Sequence, residues 1–292
     1  MMILETPLIF QAIVMGILLG GIYGMISIGL TLIFGVMEVI NVAHGAFLML
    51  GAYMSYWTFL FLGVNPFISL PLSFLLSFII GAGVYLLFIR RVIGAPPLMS
   101  LLLTYGLSVF ILNSALLAWG PTYRGILWAP PPIVIGEVHV PTGRLGACIV
   151  ALASSALLHI FLYKTHIGKS IRAVAQDRQA AALMGVDVDR IFITAFAIGI
   201  AIVGMAGSLI TVGTEPSIQP YMGEWYTLRA FTIVVLGGLG SPTGALVGGF
   251  IIGLIETLIA YFIHPVLSPA ISFIILVLTL LIRPSGILGE AQ

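Results

Sequence analysis

Long apolar runs dominate the chain: Leu8 to Phe34, Gly45 to Leu62, Phe67 to Ile89, Leu98 to Trp119, Leu145 to Tyr163, Ile191 to Gly213, Thr227 to Leu236, Ala245 to Ile263 and Pro269 to Ile282. A helix of about 20 apolar residues matches the bilayer core, and lipid offers the backbone no partner other than its own carbonyls. Nine such runs, one of them short, predict an all-α polytopic membrane protein with eight or nine transmembrane helices in a single domain over 1–292. Scarcity of charge excludes an ordinary soluble enzyme: 7% of the residues are charged, against roughly 25% in soluble domains. Eleven basic residues against ten acidic ones leave a net charge of +1, so there is no basic footprint for nucleic acid. The lone cysteine, Cys148, lies in an apolar run. It excludes an internal disulfide and a Cys-based metal site, and reads as a small buried hydrophobe.

Met1 to Pro7 carries no Lys or Arg, and the run beginning at Leu8 outlasts a signal core without a small-residue cleavage site. It reads as a retained first span, with Thr6 capping the helix and Pro7 at its first position. Alternating sides from an outside N-terminus puts the C-terminus in the cytoplasm. Inner loops then hold Arg90, Arg91, Lys164, Lys169, Arg172, Arg178, Arg190 and Arg283, while outer ones hold Arg124, Arg144 and Arg229, as the positive-inside rule requires.

Two stretches do not read as continuous helix. Residues 35–45 are too apolar for a solvated loop yet carry Glu38, Asn41 and His44 among glycines; irregular backbone of this kind belongs inside a bundle or along a cavity. Residues 236–244 hold four glycines and a proline, with Ser241 or Thr243 placed to cap the helix that resumes. Each is either a broken or re-entrant element lining a path, as transporters use, or, for the second, a glycine-rich cytoplasmic turn. Candidate path residues are Asn41, His44, Gly45, Gly238, Gly240 and Ser241, together with Glu256 further along the chain, with helix N-termini presenting positive dipole ends to a substrate carboxylate. The alternatives are structural: Asn41 as N-cap of the next helix, His44 as a satisfied buried group. Glycines at four-residue spacing (Gly16, Gly20, Gly24; Gly240, Gly244, Gly248; Gly249, Gly253) mark close helix contacts.

The inner loop Lys164 to Arg190 concentrates eight of the charged residues. Within it Ser170 to Met184 reads as one helix, Ser170 as N-cap and Gly185 as the stop, with a narrow apolar face of Ile171, Val174, Leu183 and Met184. So short a helix is marginal alone and rests either on the protein's own membrane face or on a separate cytoplasmic subunit. Gly168-Lys169-Ser170 imitates the end of a phosphate-binding loop, but the required first glycine falls on Tyr163. If ATP drives anything here, another chain hydrolyses it.

Three segments together resemble the LivH-type permease of branched-chain amino acid ABC importers: Gly29-Leu-Thr-Leu-Ile-Phe-Gly-Val-Met-Glu-Val-Ile-Asn41-Val-Ala-His44-Gly45, Gly168-Lys-Ser-Ile-Arg172-Ala-Val-Ala-Gln-Asp177-Arg-Gln-Ala-Ala-Ala-Leu-Met-Gly185, and Ala230-Phe-Thr-Ile-Val-Val-Leu-Gly-Gly-Leu-Gly-Ser241. The likeness runs nearly end to end, closing with Arg283-Pro-Ser-Gly-Ile-Leu-Gly289. It implies a heterodimer with a LivM-type second permease, two cytoplasmic ATP-binding subunits, an extracytoplasmic substrate-binding protein, and residence in the bacterial cytoplasmic (inner) membrane. It also turns the cytoplasmic helix into an ATPase-coupling helix, with Arg172, Gln176, Asp177 and Arg178 exposed and Gly185 as terminator. Where the family often has an acidic residue after the His-Gly pair, this chain has Ala46; related permeases move urea and short amides, which is the alternative substrate class.

Glu256 falls near the centre of an apolar run, where a carboxylate costs roughly 3 kcal/mol and must face protein or water. It either bonds across helices or carries protons, the latter in a rival secondary transporter. Asn113 is expected to bond between helices. The outer loop Gly120 to Arg144 contains an alternating Ile133 to Val140 that predicts a hairpin about Gly136-Glu137, either a dock for the delivery protein or a lid on the helices. The five histidines are scattered without a catalytic or metal motif, so an enzyme is not expected, nor a cofactor.

Overall fold

The computed structural model describes residues 2–128, 130–213 and 217–289. Among these, eleven helices follow in order: α1 (Met2–Met37), α2 (His44–Leu62), α3 (Leu70–Leu87), α4 (Pro97–Trp119), α5 (Thr142–Lys164), α6 (His166–Gln176), α7 (Arg178–Leu183), α8 (Val188–Gly213), α9 (Met222–Gly237), α10 (Pro242–Phe262) and α11 (Ser268–Ile282). Eight are long and apolar enough to cross a membrane. The ninth, short run of the sequence falls in α9, which is not among these eight: its 16 residues measure about 24 Å against a core roughly 30 Å thick. Helix α1 already runs at Met2, so Thr6-Pro7 lies within it and does not start it.

In lipid no hydrophobic drive holds helices together, and close packing through small residues replaces it. Helix α1 is the hub, packed on α10, α8, α5 and α9. Its Gly16, Gly20 and Gly24 face α10 so closely that a Cβ on Gly20 would lie 2.6 Å from the Phe250 Cα, while one on Gly253 would lie 2.5 Å from the Gly20 Cα. Helix α10 carries a second glycine face: Gly244 meets Gly237 of α9, and Gly248 meets Ile233. Of the glycines on α10, Gly249 and Gly253 thus serve the contact with α1, and Gly244 and Gly248 that with α9. Between α3 and α8, Ser208 Oγ bonds Ser73 Oγ at 2.8 Å and donates to Gly51 O at 2.9 Å. Helices α4 and α11 are largely unburied along their spans, leaving their outer faces to lipid or another chain.

Contacts tie the loops into two ends. At one, Arg90 pairs with Asp189 at 3.0 Å, Gly35 abuts Gly240, and the C-terminal tail bonds the end of α9 through Ile287 N to Leu236 O and Leu288 N to Gly237 O. At the other, the expected hairpin forms: β2 (Ile133–Ile135) and β3 (Val138–Val140) pair antiparallel about Gly136. Gln11 fastens it to α1 through both His139 N and His139 O. The strands β1 (Arg124–Gly125) and β4 (Ser217–Ile218) pair there too.

Candidate functional site

The first break is re-entrant. Helix α1 ends on Glu38, whose φ of 55° makes it the one non-glycine in the left-handed region among the described residues, where glycine usually terminates a helix. From the exposed Glu38 the chain turns back inward, and α2 begins at His44 with Nε2 2.8 Å from Ile26 O. Ile26 lies eleven residues before Met37, so α2 starts about 16 Å back along α1. Two threonines satisfy the extended backbone between: Thr104 Oγ1 accepts from Val42 N and donates to Ile40 O, and Thr227 Oγ1 accepts from Gly45 N. Gly45 is forced, because a Cβ there would sit 1.8 Å from Gly223 O. Sequence reasoning missed both threonines; a hydroxyl in an apolar run was the only signal.

Asn41 does not cap α2. Ala43 occupies the cap position without a side-chain bond; Asn41 contributes its carbonyl to His44 N, while both its amide atoms are buried with no partner among the described residues. His44 Nδ1 is buried and unpartnered as well, as are Ser27 Oγ and Thr31 Oγ1 of α1. Most buried polar groups are bonded, and one left without a partner costs about 1–3 kcal/mol.

Residues of the second break lie elsewhere. Gly238 and Gly240 have φ of 109° and 81°, and Ser241 caps α10 by accepting from Gly244 N at 3.1 Å. Gly240 is exposed and Gly238 is packed on Gly289 of the tail. Along α1 this turn meets Gly35, whereas His44 meets Gly29, about 9 Å away. The two stretches touch through Gly35 and Gly240, but the structure does not bring His44 to Gly238, Gly240 and Ser241.

Glu256, 3% exposed, is bonded on both oxygens. Oε1 accepts from Ser272 Oγ at 2.5 Å and Arg229 Nε at 3.0 Å, and Oε2 accepts from Tyr23 OH at 2.8 Å. Arg229 is thus no outer-loop residue. It sits inside α9, and its guanidinium lies 5.7 and 5.6 Å from the ring centres of Tyr23 and Tyr226. The missed signal was that a carboxylate in one apolar run demands a base in another, and Arg229 is two residues into the shortest. Asn113 bonds Val109 O of its own helix, with no bond to another helix among the described residues.

The expected cytoplasmic helix is two. Thr165 caps α6 by accepting from Gly168 N, and Asp177 breaks the run and caps α7 by accepting from Gln179 N and Ala180 N; aspartate's side chain competes well for such free amides. Ser170 lies within α6 and donates back to His166 O. Gly185 does end α7, at φ 84°, with Val186 N bonded to Ala181 O. Gln176 and Asp177 are exposed, but Arg172 and Arg178 turn inward. Arg172 Nε donates to Leu162 O, and its guanidinium lies over the Tyr163 ring; that of Arg178 lies over Phe192, with Nη2 3.7 Å from Glu38. Ile171 and Val174 are buried as the apolar face, yet Leu183 and Met184 are 89% and 84% exposed. Among the described residues no three His, Cys, Asp or Glu gather as metal ligands.

A family model described as "Branched-chain amino acid transport system / permease component" matches residues 12–280. The high-affinity branched-chain amino acid transport system permease protein LivH of Escherichia coli K12 is 32% identical, over 95% of this chain and 94% of its own length. BraD of Pseudomonas aeruginosa, a permease protein of the same kind of system, is 30% identical over 97% and 96%. The probable branched-chain amino acid transport permease protein LivH of Methanocaldococcus jannaschii is 30% identical over 99% and 92%. No solved structure matches the chain.

Proposed function

The chain belongs to the permease-component family of branched-chain amino acid transport systems, and from that premise we propose that it forms half of the translocation path of an ATP-driven importer in the cytoplasmic membrane. Its cargo is a branched-chain amino acid, with urea and short amides as the alternative class. Its partners are a LivM-type permease, two cytoplasmic ATP-binding subunits and an extracytoplasmic substrate-binding protein. The chain itself does no covalent chemistry.

One observation carries the reading: the α6–α7 element touches the foot of the re-entrant segment that holds Asn41 and His44. Leu183 and Met184, nearly fully exposed at the tip of α7, offer an apolar foothold to a cytoplasmic subunit. Displacing α7 would move Arg178, hence Glu38 at 3.7 Å, hence the stretch on which Asn41 and the start of α2 hang. Polar atoms that find no partner in this state would then meet substrate or water in another. Two states that differ at such a segment are what a ligand or ATP can bias. Gly238, Gly240 and Ser241 support the base of α9 and α10 in this scheme. Gln176 and Asp177 are the exposed polar contacts of the coupling element, Arg172 and Arg178 its inward anchors, and Gly185 its terminator.

Affinity purification from mild detergent, with the co-eluting chains identified and uptake measured in proteoliposomes, tests this. Two ATP-binding chains and a second permease are expected, with ATP-dependent leucine uptake. Concentrative uptake by the purified chain alone would overturn it.

A further inference from the structure

The Glu256–Arg229 pair is lopsided. The carboxylate is saturated by Ser272, Tyr23 and Arg229, while the guanidinium spends only its Nε–H on it. Arginine has five N–H donors in a fork suited to carboxylates, and the Nη donors of Arg229 carry no hydrogen bond to a described residue. Arg229 lines a cavity of about 560 Å³ between α9 and α11, together with Gln219, Trp225, Tyr226, Pro269, Ala270 and Phe273. Its volume and its lining, apolar walls carrying a few polar groups (Arg229, Gln219 and Tyr226), are those of small-molecule sites. It lies toward the turn between α10 and α11, the end of the bundle opposite the C-terminal tail.

A purely structural pair in a dry bundle gains from being fully bonded on both partners. Here the anion is closed off and the cation is left open to the cavity, 16% exposed along its side chain. Two rings, Tyr23 and Tyr226, hold the guanidinium in place, so its fork is oriented before anything binds.

We propose that this cavity binds a small carboxylate with an apolar side chain, the carboxylate on the Nη nitrogens of Arg229 and the side chain against Trp225, Pro269 and Phe273. Resting on the transport reading above, it makes the cavity an entry site for the amino acid, ahead of the Asn41–His44 segment. An anionic lipid headgroup shares the same chemistry.

The test is phenylglyoxal labelling of the full chain in phosphatidylcholine nanodiscs, read arginine by arginine by mass spectrometry. Millimolar L-leucine is expected to slow labelling of Arg229 and leave Arg124 unchanged. Leucinamide, which lacks the carboxylate, is expected to bind about tenfold or more weaker, the factor for losing a charged hydrogen-bond partner. Ala270→Trp fills the cavity without touching the ion pair and is expected to abolish protection. Equal protection by leucinamide, protection that survives Ala270→Trp, or protection only in nanodiscs containing phosphatidylglycerol overturns the site. Leucine uptake by the complete assembly, measured in parallel, separates the two claims: uptake without protection removes the site alone, and absence of both removes the substrate reading too.

Discussion

Arg178, the first residue of α7, places Nη2 3.7 Å from Oε2 of Glu38, the left-handed residue that ends α1. It is a direct ionic link between the α6–α7 element and the segment that turns back into the bundle. Both partners are substantially exposed, so the pair contributes at most about 1 kcal/mol to stability. In the proposed mechanism its significance is mechanical.

Glu38→Gln is therefore expected to leave the melting temperature nearly unchanged while lowering ATP-dependent uptake severalfold in the reconstituted assembly. The charge exchange Glu38→Arg with Arg178→Glu should recover part of the loss. Full uptake in both single variants would remove the link from the mechanism.

Asn41 is expected to separate stability from function. Its amide is buried without a partner, and the desolvation penalty of such a group is about 1–3 kcal/mol. Asn41→Leu should be neutral or stabilising in thermal unfolding from detergent, yet abolish uptake. A destabilised but active variant would mean the amide is bonded in the working state for structural reasons only.

The Glu256–Arg229 pair behaves oppositely. Removing one member of a buried pair leaves the other charge uncompensated, at a cost of about 3–5 kcal/mol, whereas replacing both with apolar residues is often neutral. Arg229→Met alone should sharply reduce the folded yield, and Arg229→Met with Glu256→Leu should restore most of it. Size-exclusion profiles in mild detergent read the difference.

Glycine substitutions sort by geometry. Gly20→Ala drives a Cβ to 2.6 Å from the Phe250 Cα, whereas Gly83 and Gly106 have no neighbouring atom within 4 Å of an added Cβ. Overpacking of a close contact costs about 1–3 kcal/mol, so Gly20→Ala should lower thermal stability. Gly83→Ala and Gly106→Ala should hold or slightly raise it, since alanine is the better helix former by roughly 1 kcal/mol. Melting curves of the three variants decide it.

Periodicity and polarity were enough to read the nine runs, the hairpin about Gly136, a cap at Ser241 or Thr243 and the stop at Gly185, because each depends on neighbours a few residues away. The irregular stretch at 35–45 was legible for the same reason: apolar residues interrupted by Glu38, Asn41 and His44 suit neither helix nor solvated loop. Where that stretch goes was not legible. That α2 starts beside Ile26, that Thr104 and Thr227 serve its backbone, and that Arg229 answers Glu256 are facts about residues tens to hundreds of positions apart. The same holds for the split of the cytoplasmic helix into a buried α6 face and an exposed Leu183–Met184 tip: the cap at Asp177 is local, but which way the second piece points depends on Phe192 and Glu38. Composition and spacing determined that the chain lives in lipid and where it must bend. Only tertiary packing decided which polar groups were paired and which were left open, because in a low-dielectric interior a charge or amide is settled by the partner that reaches it and not by its sequence neighbours.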